Sequence, residues 1–132
     1  MAVKNNTKAH IKIYRVQDSE GRGPWRPGFS LSWVESRPDH DLLKPMYGDL
    51  DSSKIYNAMR MGEHWGCGCR TAEKLKRWIN QSEYEKLLGF GYKSVILNID
   101  RILDESDIQT LFSRRTPLWK KFTIFNLYEV KK

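Results

Sequence analysis

Apolar and polar residues alternate with a period of two in several short segments, which is typical of half-buried strands. This alternation predicts strands over residues 10–16, 64–69, 92–100, 107–113 and 122–130, and a weaker strand over 29–35. Apolar residues at helical spacing predict helices over 51–61, 71–79 and 82–88. The helices fall before the last three strands. This order favours an α+β fold, with helices packed early in the chain and a split or strongly twisted, mixed or antiparallel sheet.

Capping residues mark where the predicted helices begin. Thr71 is a good N-cap for the central helix. Ser52 or Ser53 serves the same role for the first helix, and Ser82 with Glu85 has the spacing of a capping box for the third. Residues 104–106 are polar and predict a turn. Residues 36–50 contain two prolines and predict irregular structure.

The chain has 132 residues, the length of one domain. Residues 1–9 are polar and predict a flexible segment without the apolar core of a secretory signal. No apolar run approaches the length of a membrane span. We therefore expect a single-domain, soluble cytoplasmic protein that does not enter a membrane.

Basic residues outnumber acidic ones by 23 to 16, a net charge of +7. Such an excess suggests an acidic partner, either a nucleotide, a nucleic acid or an acidic protein. The basic residues are scattered along the chain, so an ordinary solvated surface remains the alternative.

Arg15 is the first candidate for a binding residue. It lies at the same register of the first predicted strand as Ile11 and Ile13. If those isoleucines face the core, Arg15 points the same way. A buried arginine needs an anionic partner, since an unpaired buried charge is costly. That partner is either a structural carboxylate or a phosphate.

The loop over residues 17–28 supplies further candidates. It contains three glycines and two prolines together with Arg22, Trp25 and Arg26. Glycine permits close approach of the backbone, arginine recognises phosphate, and tryptophan stacks on a base. An ordinary surface loop is the alternative.

Residues 69–71 form the third candidate, where the central strand turns into a helix. The glycines at 66 and 68 indicate a bulge or the close approach of a ligand or another backbone. A helix N-terminus offers free N–H groups to an anion. Cys69 and Thr71 would supply donors there. A tight packing joint explains the same pattern equally well.

Metal and thiol chemistry receive less support. His64, Cys67 and Cys69 have the wrong spacing for a zinc site, so we expect no metal. Cys69 at a helix N-terminus has the position of a thiol with a depressed pKa, but no pattern links a histidine base to it. Glu105 and Asp107 form a carboxylate pair that is more typical of a solvated turn.

Three motifs give the chain a resemblance. The Ile-Tyr-Arg-Val strand, the Gly-Arg-Gly-Pro-Trp loop and the His-Trp-Gly-Cys-Gly-Cys-Arg-Thr-Ala-Glu-Lys block resemble a family of small phage and prophage proteins. The likeness covers most of the chain between Ile11 and Phe112. The likeness indicates that the protein comes from a phage, but it says less about the reaction or ligand of the protein.

More distantly, the layout resembles the mono-ADP-ribosyltransferase fold, in which three elements surround a split sheet. The resemblance implies that Arg15 binds NAD, that residues 69–71 form the middle element, and that Gln109 occupies the place of the catalytic glutamate. Asp107 lies two residues before it. Glutamine bonds a ribose hydroxyl but lacks the negative charge that favours a cationic transition state. The resemblance thus implies a nucleotide cleft more strongly than transfer of ADP-ribose.

Two functions from different classes are therefore expected. The first is a phage-type ADP-ribosyltransferase-like domain that binds NAD or a related nucleotide through Arg15, Arg22, Trp25, Cys69 and Thr71, and that uses Gln109 at a ribose. The second is a non-enzymatic, anti-CRISPR-like inhibitor that binds a host defence protein, a nucleic-acid-processing protein or its nucleic acid through a basic surface.

Overall fold

The secondary structure was assigned in a computed structural model, which describes residues 11–26, 28–35 and 49–129. In these ranges the strands are β1 (Ile11–Gln17), β2 (His64–Gly68), β3 (Lys93–Ile99), β4 (Arg101–Glu105), β5 (Thr110–Arg114) and β6 (Phe122–Phe125). The helices are α1 (Ser52–Arg60), α2 (Ala72–Trp78) and α3 (Gln81–Gly89). None of the helices in these ranges is long and apolar enough to cross a membrane.

The first sheet has the order β1-β3-β6, and both pairs are antiparallel. In its register Ile13 lies opposite Leu97, and Arg15 lies opposite Val95. The three apolar residues are buried, and Arg15 is only 6% exposed. Because side chains alternate along a strand, the face that buries Ile13 also carries Arg15 inward. The predicted register of β1 is confirmed.

The second sheet has the order β2-β5-β4, again antiparallel, with a register shift between Ile102 and Asp104. The two sheets meet where Tyr14 and Cys69 exchange backbone hydrogen bonds of 2.7 and 2.9 Å. The prediction of an α+β domain with a split antiparallel sheet is confirmed. The turn predicted at 104–106 begins too early, because β4 extends to Glu105.

The start of α2 was predicted correctly and the start of α1 was not. The Thr71 hydroxyl accepts a hydrogen bond from the backbone N–H of Lys74 at 3.1 Å. In α1 the cap is Asp51, whose carboxylate accepts from the N–H of Ser53 at 2.9 Å. The predicted serine caps are wrong because both serines already lie inside the helix, and Asp51 precedes its first residue.

The capping box of α3 also differs from the prediction. It is formed by Asn80 and Glu83, not by Ser82 and Glu85. Glu83 is buried and also accepts a hydrogen bond from the backbone N–H of Glu35 at 2.7 Å. This contact places the capping box two residues before its predicted position. The Ser82 hydroxyl and the Asn80 amide donate to Glu35, and these bonds, with Lys86, lower the Glu35 pKa to about 2.

The strand predicted over 29–35 is wrong, since a 3-10 turn forms at Ser30–Ser32. Trp33 drives this difference: it is fully buried, and its indole N–H donates to the Pro24 carbonyl at 3.2 Å. The last strand ends at Phe125 instead of continuing to residue 130, because Leu127 turns into the core. Of the segment predicted to be irregular, residues 36–48 lie outside the described residues.

The core falls into clusters on the two sides of the first sheet. The larger cluster lies beneath α2 and α3 and contains two buried tyrosines and Trp33. The second lies between the sheets and contains Ile13, Leu97 and Phe112. Arg15 is buried on the side of this second cluster, and the Phe112 ring lies 5.8 Å from its guanidinium carbon. The inter-sheet space therefore holds apolar side chains together with the charged Arg15.

Candidate functional site

Arg15 is the centre of the site. Its guanidinium donates to the Gln17 side-chain oxygen at 3.0 Å, to the Cys67 carbonyl at 2.8 Å and to the Gly21 carbonyl at 2.9 Å. All three acceptors are neutral, and among the described residues Arg15 has no ion pair within bonding distance. Burial lowers the Arg15 pKa to about 10. The site thus contains a buried cation that contacts no carboxylate within the part of the chain that the structure describes.

The glycines of β2 make room for this arrangement. A Cβ at Gly66 would lie 2.5 Å from an Arg15 guanidinium nitrogen, and one at Gly68 would lie 2.4 Å from the Ile13 side chain. Real Cβ atoms do not approach so closely. The glycines predicted a close approach of another group to β2. In the structure, side chains of β1 make this approach.

A cavity of about 840 Å³ opens beside Arg15. This volume lies within the roughly 300–1,000 Å³ of small-molecule sites. Its walls come from the loop after β1, from β2 and from α2, and three tryptophans line it: Trp25, Trp65 and Trp78. The lining also includes residues 21–24, Arg26, residues 66–69, Leu75, Ile79 and Gln109. The cavity offers a mainly apolar, aromatic surface, and three arginines, Arg15, Arg22 and Arg26, are among its lining residues.

Trp25 and Arg22, the loop residues predicted to contact a ligand, both line this cavity. Trp25 is 43% exposed, and its ring meets Trp33 and Trp78 edge-on at 4.5 and 5.7 Å. Arg22 pairs with Asp18 at 2.8 Å and is half exposed. The structure thus places Trp25 where it can contact a ligand, while Arg22 already has an acidic neighbour.

Arg26 is a further cationic residue of the cavity. Its guanidinium donates to the Tyr92 hydroxyl at 2.7 Å and lies 4.7 Å from the centre of the Phe29 ring. Its Nε is buried without a hydrogen-bond partner among the described residues. Arg26 is one of the residues that the loop was predicted to present, but its contact with Tyr92, 66 positions away, has no local signal in the sequence.

Cys69 and Thr71 have different positions. Cys69 lines the cavity, but its backbone N–H is used in the bridge to Tyr14. Thr71 is not among the lining residues and caps α2. Burial raises the Cys67 pKa to about 11 and the Cys69 pKa to about 12. The depressed thiol pKa considered for Cys69 is therefore wrong, because burial outweighs nearby positive charge.

Gln109 lines the same cavity as Arg15 although the two come from different sheets. It immediately precedes β5 and is 7% exposed, so it is not an exposed polar residue. Its amide donates to the Asp49 carboxylate at 2.9 Å, and the Ser106 hydroxyl donates to the same oxygen. Sequence analysis missed Asp49, which lies 60 positions away and carries no local signal.

His64 and the cysteines do not assemble around one point. His64 packs edge-on against Trp119, with ring centres 5.4 Å apart. Within the described ranges no group of three or more His, Cys, Asp or Glu side chains is placed to hold a metal ion. The arrangement therefore offers binding through a guanidinium, aromatic walls and one amide–carboxylate pair.

These features define an α+β protein with an arginine-centred, tryptophan-walled cleft between two short sheets. The family model described as "Bacteriophage T4 Y00F protein" matches residues 10–124. The chain belongs to this phage protein family, which confirms the phage resemblance seen in its motifs. No curated protein and no solved structure matches the chain.

Proposed function

We propose that this phage protein binds a nucleotide, NAD or a relative of it, in the cleft beside Arg15, in the manner of an ADP-ribosyltransferase-like domain. One observation carries the proposal: a buried guanidinium at the side of an aromatic cavity, whose hydrogen-bond acceptors among the described residues are all neutral. Three of its five N–H groups make the bonds described above, which leaves donors for a phosphate.

The aromatic walls suit the other half of such a ligand. Trp25 is partly exposed and lines the cavity together with Trp78. Stacking of a base on an aromatic ring contributes about 1–3 kcal/mol. A ligand with a planar base and an anionic phosphate therefore matches both the apolar and the charged parts of the cleft.

The transferase-like layout is supported by the residues that share the cleft. Arg15 from β1, Cys69 after β2 and Gln109 before β5 all line it. The first and last residues that the resemblance implies therefore share the cleft, whereas only Cys69 of its middle element, residues 69–71, lines it. Thr71 would contribute to the site only indirectly, because its side chain caps α2. Gln109 would bond a ribose hydroxyl, with its amide oriented by Asp49.

Calorimetric titration with NAD tests the proposal. The wild type should bind saturably, with little dependence on salt, and Arg15→Lys should weaken binding because a point charge replaces a forked donor. Arg115→Lys is the matched control, since Arg115 is exposed and outside the cavity. Absence of binding to NAD, ADP-ribose and ATP would refute the nucleotide cleft.

A second function is favoured by the surface around β6. Phe122 and Ile124 are exposed on this edge strand, next to the exposed Lys120 and Lys121. An apolar patch beside positive charge suits an acidic host protein, as expected for a non-enzymatic phage inhibitor. Binding of nucleic acid instead would fall steeply with added salt. Loss of host-protein capture in Ile124→Lys, with NAD binding absent, would favour this function.

A further inference from the structure

Gln17 is a buried polar residue that contacts Arg15 but lies outside the cleft. It is the last residue of β1 and is only 2% exposed. Because side chains alternate along a strand, it lies on the same side of β1 as Arg15. The residues that line the cavity include Arg15 and do not include Gln17. An effect of Gln17 on a ligand must therefore act through Arg15.

The side-chain amide of Gln17 accepts one hydrogen bond and donates another. Its oxygen accepts from the Nε of Arg15 at 3.0 Å, and its nitrogen donates to the carbonyl of Leu118 at 2.7 Å. The Nε–H group can only donate, and the carbonyl can only accept. The amide therefore fits in one orientation, with its oxygen toward Arg15. A carboxylate or a hydrocarbon of similar size cannot make both bonds.

The carbonyl of Leu118 is held in place by Arg114. Arg114 is the last residue of β5 and is buried. Its guanidinium donates to four carbonyls of the turn between β5 and β6, which are those of Thr116, Pro117, Lys120 and Lys121. Leu118 lies between these anchored residues. The turn therefore presents a fixed acceptor to Gln17.

The same turn also supports a second acceptor of Arg15. The Gly21 carbonyl accepts from Arg15 at 2.9 Å. A Cβ at Gly21 would lie 3.0 Å from the Cβ of Leu118, so the two backbones are in close contact. Leu118 thus braces the guanidinium of Arg15 from two directions, through Gln17 and through Gly21.

The amide of Gln17 is an acceptor without a charge. A carboxylate at position 17 would form an ion pair with Arg15 and neutralise the cation before a ligand arrived. Gln17 instead orients the guanidinium and leaves its positive charge uncompensated by any carboxylate in contact among the described residues. One N–H group on each terminal nitrogen of Arg15 remains for a ligand.

We propose that Gln17 is a positioning residue of the cleft, which orients Arg15 through a neutral acceptor and so sets the affinity of the cleft for an anion. The inference rests on the proposed function, because it takes Arg15 to be the group that binds a phosphate. It assigns control of this affinity to a residue that the ligand does not touch.

Nuclear magnetic resonance of the arginine Nε–H groups tests the orientation of Arg15. Gln17→Met fills a similar volume without an acceptor, so the Nε–H of Arg15 should exchange with water about tenfold faster than in the wild type. The Nε–H of Arg114, which donates to Thr116, is the internal control and should keep its rate. Equal acceleration of both signals would indicate a general loosening of the fold. That result, or an unchanged Arg15 rate, overturns the inference.

Titration with inorganic pyrophosphate tests the charge. Gln17→Glu keeps an acceptor for Arg15, so the Arg15 Nε–H should stay protected, but pyrophosphate should bind about tenfold more weakly because its charged partner is neutralised. Gln81→Glu makes the same chemical change at an exposed residue outside the cavity and should leave the affinity unchanged. Equal affinity in Gln17→Glu and the wild type, or no saturable binding by the wild type, contradicts the inference. If Gln17→Met does not fold, this titration decides.

Titration of the same proteins with NAD separates the two proposals. If the wild type binds pyrophosphate but not NAD, ADP-ribose or ATP, the nucleotide proposal fails and the role of Gln17 stands. If the wild type and Gln17→Glu bind NAD equally well, the role of Gln17 is wrong and the nucleotide cleft stands.

Discussion

Replacing Arg15 with lysine removes the guanidinium fork while the positive charge stays at the same place. The fork joins three parts of the chain, because its acceptors belong to β1, to the loop after it and to β2. A lysine ammonium at this site can approach one of these acceptors well. The other two remain buried in the protein without a donor.

The expected loss follows from those two acceptors. A buried polar group left without a hydrogen bond costs about 1–3 kcal/mol, so the free energy of unfolding should fall by about 2–6 kcal/mol. The charge is retained, so its desolvation does not offset the loss. For a domain of this size each kcal/mol lowers Tm by about 4 °C, which predicts a decrease of roughly 8–24 °C.

Urea unfolding followed by tryptophan fluorescence measures the free energy, and circular dichroism measures Tm. The exposed Arg115→Lys change should alter Tm by about 2 °C or less, since surface substitutions have small effects. A decrease below about 4 °C in Arg15→Lys would contradict the reasoning. It would mean that the three bonds are replaced by water or that the guanidinium is not the link between the sheets.

Three further predictions concern single sites. Gly66→Ala places a methyl group 2.5 Å from the guanidinium and should cost about 1–3 kcal/mol in urea unfolding, whereas Gly89→Ala meets nothing within 4 Å and should be harmless. Gln109→Glu puts a carboxylate beside Asp49, so its Tm should be lower at pH 7 than at pH 5, and adding Asp49→Asn should remove that difference. Any NAD-cleaving activity should also rise in this double variant. The pKa of Glu35 is about 2 in the folded protein and ordinarily 4.5, so its contribution is full above pH 4.5 and is lost as the pH falls through 2. Glu35→Gln should flatten the pH dependence of unfolding in that window, and an unchanged slope would refute the assignment.

Local patterns correctly predicted the elements in which buried and exposed side chains alternate along the chain. The register of β1, including the inward direction of Arg15, follows from its isoleucines alone. The cap at Thr71 follows from one hydroxyl before an amphipathic helix. The strand predicted at 29–35 failed because the packing of Trp33 against the loop outweighs a weak alternation.

The arrangement of the site depended on contacts that no local pattern contains. Gln109 meets Asp49 across 60 positions, and Arg15 reaches the carbonyl of Cys67 across 52. The glycines at 66 and 68 signalled a close approach, yet the sequence could not say whether a ligand or another strand makes it.

The backbone hydrogen bonds between Tyr14 and Cys69 connect the two sheets through a short stretch of β1. Residues of the cleft lie on both sides of this bridge: Arg15 follows Tyr14 directly, and Cys69 itself lines the cavity. A ligand that contacts both sheets would hold them together and slow their separation. The amide protons of Tyr14 and Cys69 would then exchange with solvent more slowly, so hydrogen exchange at these two positions reports occupancy of the cleft whatever the ligand is.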